Sequence, residues 1–260
     1  MSHDLLLAAL AVSLLMWLLW ALQTRTKDAS NVDAAWALAI GGCAVWYAAS
    51  GSGDLTRRWL AAGLIALWAL RLGGHLLIDR VLTATAEDGR YAAMRAHWGP
   101  RANAHFIWFY QLQAVVAVTF ALPFLVAAHD PRPLGLLDGL AVVWWGATLT
   151  LVTVADRQLA AWRADPANRG HTCRAGLWRY SRHPNYFFEW LHWFAYPVLA
   201  WGGPGGPFTL GAPLLLLVFL LFLSGIPYTE ARALKTRGDD YRRYQAETSR
   251  FIPWFPRPSA

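Results

Sequence analysis

Leu5-Leu-Leu-Ala-Ala-Leu-Ala-Val-Ser-Leu-Leu-Met-Trp-Leu-Leu-Trp-Ala-Leu22 is a run of eighteen residues without a charge. A helix needs roughly 20 apolar residues to cross the hydrocarbon core of a bilayer, so this stretch reads as a membrane span. It lacks a basic n-region and a small-residue cleavage site before Gln23, and it reads as a retained helix rather than a signal peptide. Six more apolar segments follow, at Asp33–Ala49, Trp59–Leu77, Phe106–Ala128, Leu134–Val154, Tyr186–Trp201 and Phe208–Tyr228. The expected fold is all-α: a polytopic integral membrane protein with seven transmembrane helices in one membrane domain over residues 1–260. Helices one to four lie in 1–128, and helices five to seven with their loops lie in 129–260. The segment Tyr186–Trp201 is short and carries Glu189 and His192, so it is expected to line a cavity rather than face lipid.

Composition agrees. Of 260 residues, 56% are hydrophobic and only 15% charged, against roughly 25% charged in an average soluble domain. Many of the 16 tryptophans sit near the ends of apolar runs, where amphipathic rings favour the headgroup level. Cys43 and Cys173 form neither a disulfide framework nor a metal set. The net charge of +7 lies in loops, which points to orientation and anionic ligands and not to nucleic acid.

Seven spans put the termini on opposite sides and sort the 23 Lys and Arg residues sharply. Nineteen fall on one side, three (Arg57, Arg58, Arg132) on the other, and Arg71 lies within a span. Positive loops stay in the cytoplasm. The C-terminus is therefore expected inside and the N-terminus outside, in a bacterial inner membrane.

The stretch richest in chemistry is Gly176-Leu-Trp-Arg-Tyr-Ser-Arg-His-Pro-Asn-Tyr-Phe-Phe-Glu189. Arg179, Tyr180, Arg182, His183, Asn185 and Glu189 crowd the entrance to a span, where ionisable groups are costly and usually mark a site. Arginine forks match phosphate oxygens bidentately. Upstream, Asp156 and Arg163 are seven apart and share one helix face. Arg169 and Arg174 are read equally well as a basic juxtamembrane stretch. A second inner loop offers Asp79-Arg80 and Glu87-Asp-Gly-Arg-Tyr91, with Arg90 and Tyr91 open to a phosphate or ring site or to a plain solvated turn. Asp33 opens the second span and is either an N-cap or a site residue. Glu230 follows the last span and either pairs with a loop arginine or holds a ligand. No strand hosts a Gly-rich phosphate loop, and no His or Cys spacing suits a metal.

Asp156…Arg163-Ala-Asp-Pro-Ala-Asn168, Gly176–Glu189, Gly225-Ile-Pro…Glu230 and Phe251-Ile-Pro-Trp254 together resemble the bacterial branch of the steroid 5-alpha-reductase family. The likeness is strongest over residues 140–254 and reaches earlier spans through Asp33-Ala-Ala-Trp36 and Arg90-Tyr91. It implies a seven-helix membrane fold, NADPH as reductant, and reduction of a carbon–carbon double bond conjugated to a ketone. Asp156, Arg163, Asn185 and Glu189 match the family's cofactor residues, and Asp79, Arg80, Arg90, Arg174, Arg179, Tyr180, Arg182, His183 and Glu230 complete the expected cofactor set. The family's eukaryotic steroid enzymes grip the substrate ketone with a Glu in the second span and a Tyr in the third. Here Asp33 is the nearest acid, and Trp68 stands about where that Tyr would be. An indole N–H donates a hydrogen bond but cannot deliver a proton as a phenol can. The resemblance therefore implies a hydrophobic enone drawn from the bilayer, such as a 3-oxo-4-ene steroid. Protonated Asp33, Trp68 with a water, or Tyr91 is the expected donor at its ketone. Membrane lipid is the expected surrounding, with no nucleic-acid or protein partner. A membrane methyltransferase using S-adenosylmethionine shares the Arg-His-Pro-x-Tyr core, but that type tends to pair two glutamates after the last span, where this chain has Glu230-Ala231.

Overall fold

The structure, a computed structural model, describes residues 1–223 and 225–257. It is all-helical among those residues. The order is α1 (Ser2–Thr26), α2 (Asn31–Ser50), α3 (Leu55–Leu77), α4 (Gly89–Trp98), α5 (Ala102–Ala128), α6 (Leu136–Ala164), α7 (Pro184–His192), α8 (Ala195–Ala200), α9 (Gly211–Val218) and α10 (Ile226–Glu247). Among the described residues, six stretches are long and apolar enough to cross a membrane: Ser2–Thr26, Asn31–Ser50, Leu55–Leu82, Gly89–Ala128, Leu136–Ala164 and Gly206–Glu247. These fit a multi-pass membrane protein.

The expected sixth span, Tyr186–Trp201, is not a continuous helix. It divides into α7 and α8 around Trp193–Phe194. The cause is Pro197: it has no N–H for the Trp193 carbonyl, and its ring crowds that carbonyl. Trp193 and Phe194 instead donate three residues back, to the carbonyls of Trp190 and Leu191. The nine residues of α7 rise about 13 Å and the six of α8 about 9 Å, each well short of a roughly 30 Å hydrocarbon core.

The chain divides into two compact units, Met1–Gly135 with Leu199–Thr209, and Leu136–Val198 with Leu210–Ala260. In the first unit α2 packs closely on α3 and α5, and α1 leans on α5. Gly41 permits the close approach, since a Cβ there would stand 2.7 Å from the Ala69 Cβ. Leu6, Leu10, Leu14 and Leu18 of α1 are exposed, as suits a face against lipid. Two of the three cations on the sparsely charged side are structural. Arg57 is buried and donates to the carbonyls of Arg132, Pro133 and Leu199 at 2.6–2.9 Å. Asp130, also buried, pairs with Arg132 at 2.6 Å. In the second unit α6 packs on α7, α7 on α9, and the tail beyond α10 returns to the loop before α7.

Candidate functional site

The first unit gathers its charge at the start of α2. Asp33 lies in the first turn, but Ser30 is the cap residue and no side chain caps the helix. The Asp33 oxygens go elsewhere. One accepts from Arg80 and from Arg90, each at 2.5 Å, and the other from the Tyr91 hydroxyl at 2.6 Å. Asp88 caps α4 through the Arg90 N–H at 2.9 Å, binds the Arg90 Nε at 3.0 Å, and faces Arg80 Nε at 3.6 Å. Burial works against charge on Asp88, but the Arg90 bonds and both guanidinium charges outweigh it and hold its carboxyl below its ordinary value. Asp33 thus ties α2 to α4 and to the turn after α3 through three side chains.

The same unit holds buried aromatic rings and, with none of Asp33, Trp36 or Tyr91 in its lining, an apolar groove. Tyr91 is buried, and Arg90 lies over its ring, 5.1 Å from the centroid. Trp68 is buried edge-on to Trp36, with ring centroids 6.2 Å apart. Trp36, one turn beyond Asp33, has a buried indole N–H with no hydrogen-bond partner. An apolar groove of about 730 Å³ runs between α1 and α2, from Trp46 and Leu7 to Asn31 and Leu77. Small-molecule pockets span roughly 300–1,000 Å³. Asp79 stands apart on the wound turn Ile78–Leu82, exposed, 3.3 Å from His75.

The second unit holds two clusters. In the first, Arg182 Nε donates to Glu230 at 2.7 Å, and its Nη1 donates to the carbonyls of Gln245 and Thr248. His183 Nε2 lies 3.3 Å from Glu230, and its ring stacks on Tyr186 with centroids 5.5 Å apart. Burial pushes the His183 pKa down against the pull of Glu230. Gln245 and Tyr241 also donate to Glu230, at 3.1 and 3.4 Å.

The second cluster is built by α6, the loop after it and α10. Asn185, in the first turn of α7, donates to Asp156 of α6 at 3.0 Å. Arg163 lies two turns along α6 from Asp156, and Glu189 one turn along α7 from Asn185. Arg163 and Arg237 interact electrostatically with each other and both with Cys173, which is buried. Arg237 lies over the Tyr241 ring at 5.0 Å. Beside them, the Trp162 indole N–H and the Thr172 hydroxyl are buried without a hydrogen-bond partner. Arg174 is committed to structure: it pairs with Glu247 at 2.9 Å and with Asp240 at 3.3 Å. Arg179 is exposed, and Tyr180 meets Phe255 edge-on.

Sequence reading missed Asp88, Trp36's open N–H, Arg237, and Tyr241 with Gln245 on Glu230. Asp88 was legible as an acid ahead of a helix. The Glu230 partners were not. In a straight helix Tyr241 would stand about 16 Å and Gln245 about 22 Å along the axis from Glu230. They meet it because α10 turns at Gly238 (φ 51°, ψ −122°).

The fold and sites define a multi-pass helical membrane protein with buried charged clusters and donors left open. Residues 19–248 match the family described as protein of unknown function DUF1295, and the chain belongs to that family. The family is steroid 5-alpha-reductase-like. The chain is also similar to the uncharacterized protein C594.04c of Schizosaccharomyces pombe, with 25% identity over 265 residues, covering 90% of this chain and 75% of that protein.

Proposed function

We propose that the protein is an NADPH-dependent ene-reductase that reduces the carbon–carbon double bond of a hydrophobic enone, a 3-oxo-4-ene steroid being the substrate class the resemblance suggests. The observation that carries the cofactor half is a pair of buried donors without a hydrogen-bond partner in the second unit, the Trp162 N–H and the Thr172 hydroxyl, next in sequence to Arg163 and to Cys173, on which Arg163 and Arg237 both act. Buried donors left unpaired are costly, and a phosphate-rich ligand satisfies them. These residues fit a dinucleotide. Arg163 and Arg237 take phosphate, and Asn185 with Asp156 offers an amide and a carboxylate to hydroxyl or amide groups. A reduced nicotinamide dinucleotide held by these residues would supply hydride.

The chain's own residues do the rest. The hydrophobic skeleton enters the first unit beside α2. The open Trp36 N–H donates to the ketone oxygen as negative charge develops on it. Tyr91 is the proton donor: its phenol carries a proton, Asp33 accepts that hydroxyl at 2.6 Å and orients it, and Arg80 and Arg90 bind the same side chain. Trp68 shapes the cavity by packing on Trp36. The charge asymmetry supports an inside C-terminus, with the broken α7–α8 pair as the sixth of seven crossings in a bacterial inner membrane.

The test is binding and turnover on purified protein. NADPH should bind, and S-adenosylmethionine should not. Arg163→Ala should weaken NADPH by about 10- to 150-fold, the loss of one charged contact of about 1.5–3 kcal/mol. Tyr91→Phe should abolish turnover and leave NADPH affinity within twofold. Tight S-adenosylmethionine binding without NADPH binding would replace this reading by a membrane methyltransferase.

A further inference from the structure

A second cavity of about 270 Å³ lies under the C-terminal tail, away from the donors assigned to the dinucleotide. Arg182, Arg250 and Arg257 line it, with Glu247 its one carboxylate among the described residues. That carboxylate is already held by Arg174 at 2.9 Å, so the wall is cationic. The tail over it is fixed. The Trp254 N–H donates to the Tyr180 carbonyl, the Arg257 N–H to the Glu247 carbonyl, and the Ser181 hydroxyl to the Phe251 carbonyl, all at 2.8–2.9 Å. Yet the same segment exposes Ile252, Trp254 and Phe255, the last two by 70% and 75%. Held apolar rings beside Arg250 and Arg257, which have no ion pair among the described residues, are costly in water but suit the headgroup level of a bilayer.

One contact fixes the depth. Arg250 Nη2 lies 3.4 Å from the carbonyl oxygen of Leu221, near the end of the last apolar run. Phe222 and Leu223 beside it are exposed, as lipid-facing residues are. The cavity mouth therefore stands where hydrocarbon gives way to phosphate.

We propose that this cavity binds the phosphate of an anionic phospholipid, with Arg250 and Arg257 as its ligands and Trp254 and Phe255 set beside the acyl chains. The ligand chemistry is a phosphate ester. Membrane depth and the exposed rings favour a lipid over a free phosphate. Arg182 stays paired with Glu230 and contributes field rather than a contact.

The test is native mass spectrometry of the full chain in detergent, titrated with phosphatidylglycerol or phosphatidylcholine, with inorganic phosphate as competitor. Phosphatidylglycerol should bind in preference to phosphatidylcholine. Arg250→Gln with Arg257→Gln should lower its affinity about 30-fold, at about fivefold for each arginine near an anionic surface. Arg232→Gln with Lys235→Gln, two exposed cations of α10, should change it by less than twofold. If the double variant does not fold, Arg257→Gln alone carries the test with a fivefold loss expected, because its backbone N–H still holds Glu247. Equal binding of the two lipids, an unchanged double variant, or equal losses in both pairs would overturn the proposal. Displacement of the lipid by millimolar inorganic phosphate would assign the cavity to free phosphate and overturn the lipid.

Discussion

Gly238→Ala asks whether the turn inside α10 assembles the Glu230 cluster. At φ 51° and ψ −122° Gly238 occupies backbone space that only glycine adopts freely. A Cβ there would meet nothing within 4 Å, so the substitution costs backbone strain alone, about 1–3 kcal/mol. The strain falls on a defined set of contacts. Beyond the turn, Asp240 accepts the Thr172 N–H at 2.7 Å, Tyr241 and Gln245 reach Glu230, and the Gln245 and Thr248 carbonyls take Arg182. If these open together, their open population rises about 5- to 140-fold, at tenfold for each 1.4 kcal/mol. Cys173 reports it. The residue is 2% exposed and sits between Thr172 and Arg174, both of which hold α10 past the turn. Maleimide labelling of Cys173 in detergent should accelerate by that factor, while Cys43, buried in α2, should label as in the wild type. Gly139→Ala is the control of opposite sign. Gly139 is inside α6 with nothing within 4 Å of a Cβ, so alanine should stabilise by about 0.5–1 kcal/mol. Cys173 labelling and a melting temperature both unchanged in Gly238→Ala would refute the reasoning, because the cluster would then not depend on the turn.

Asp33→Asn should lower stability by about 1.5–3 kcal/mol, since it leaves Arg80 and Arg90 facing each other without the carboxylate. Adding Arg80→Gln should recover part of that loss in a thermal melt, and simple additivity would mean that the pair does not couple. Trp36→Phe should raise the substrate KM or lower turnover by more than its loss of packing explains, because the lost N–H has no hydrogen-bond partner among the described residues; full activity would remove it from the ketone site. His183 gives a pH signature. Its folded pKa lies below the ordinary 6.5, so the unfolded chain takes up the proton first as pH falls. Its contribution is fully present above about pH 6.5 and is lost as pH falls through the lowered folded value. Melting temperature should therefore drop below pH 6.5, and His183→Gln should flatten that slope; an equal slope in the variant would assign it to other groups.

The membrane class was legible in Leu5–Leu22 and the other apolar runs, because a bilayer requires about 20 apolar residues whatever the rest of the chain does. Arg182, His183 and Asn185 were also legible as candidate site residues, because charged and polar groups at a span entrance are rarely incidental, and Asp156 only through the helix face it shares with Arg163. What each would touch was not. Asp33 reads as well for a helix cap as for a site, and only the approach of Arg80, Arg90 and Tyr91 decided which bonds its oxygens make. Arg174 has the same local pattern as Arg163, yet one is spent on Asp240 and Glu247 while the other stands with Arg237 beside unpaired donors. The break at Trp193–Phe194 needed the helix built past Pro197 to show itself. The partners of Glu230 needed the reversal at Gly238. Composition and spacing determine which residues a membrane tolerates and where; which charges meet is set by backbone turns and helix packing, which bring together groups that sequence separation places far apart.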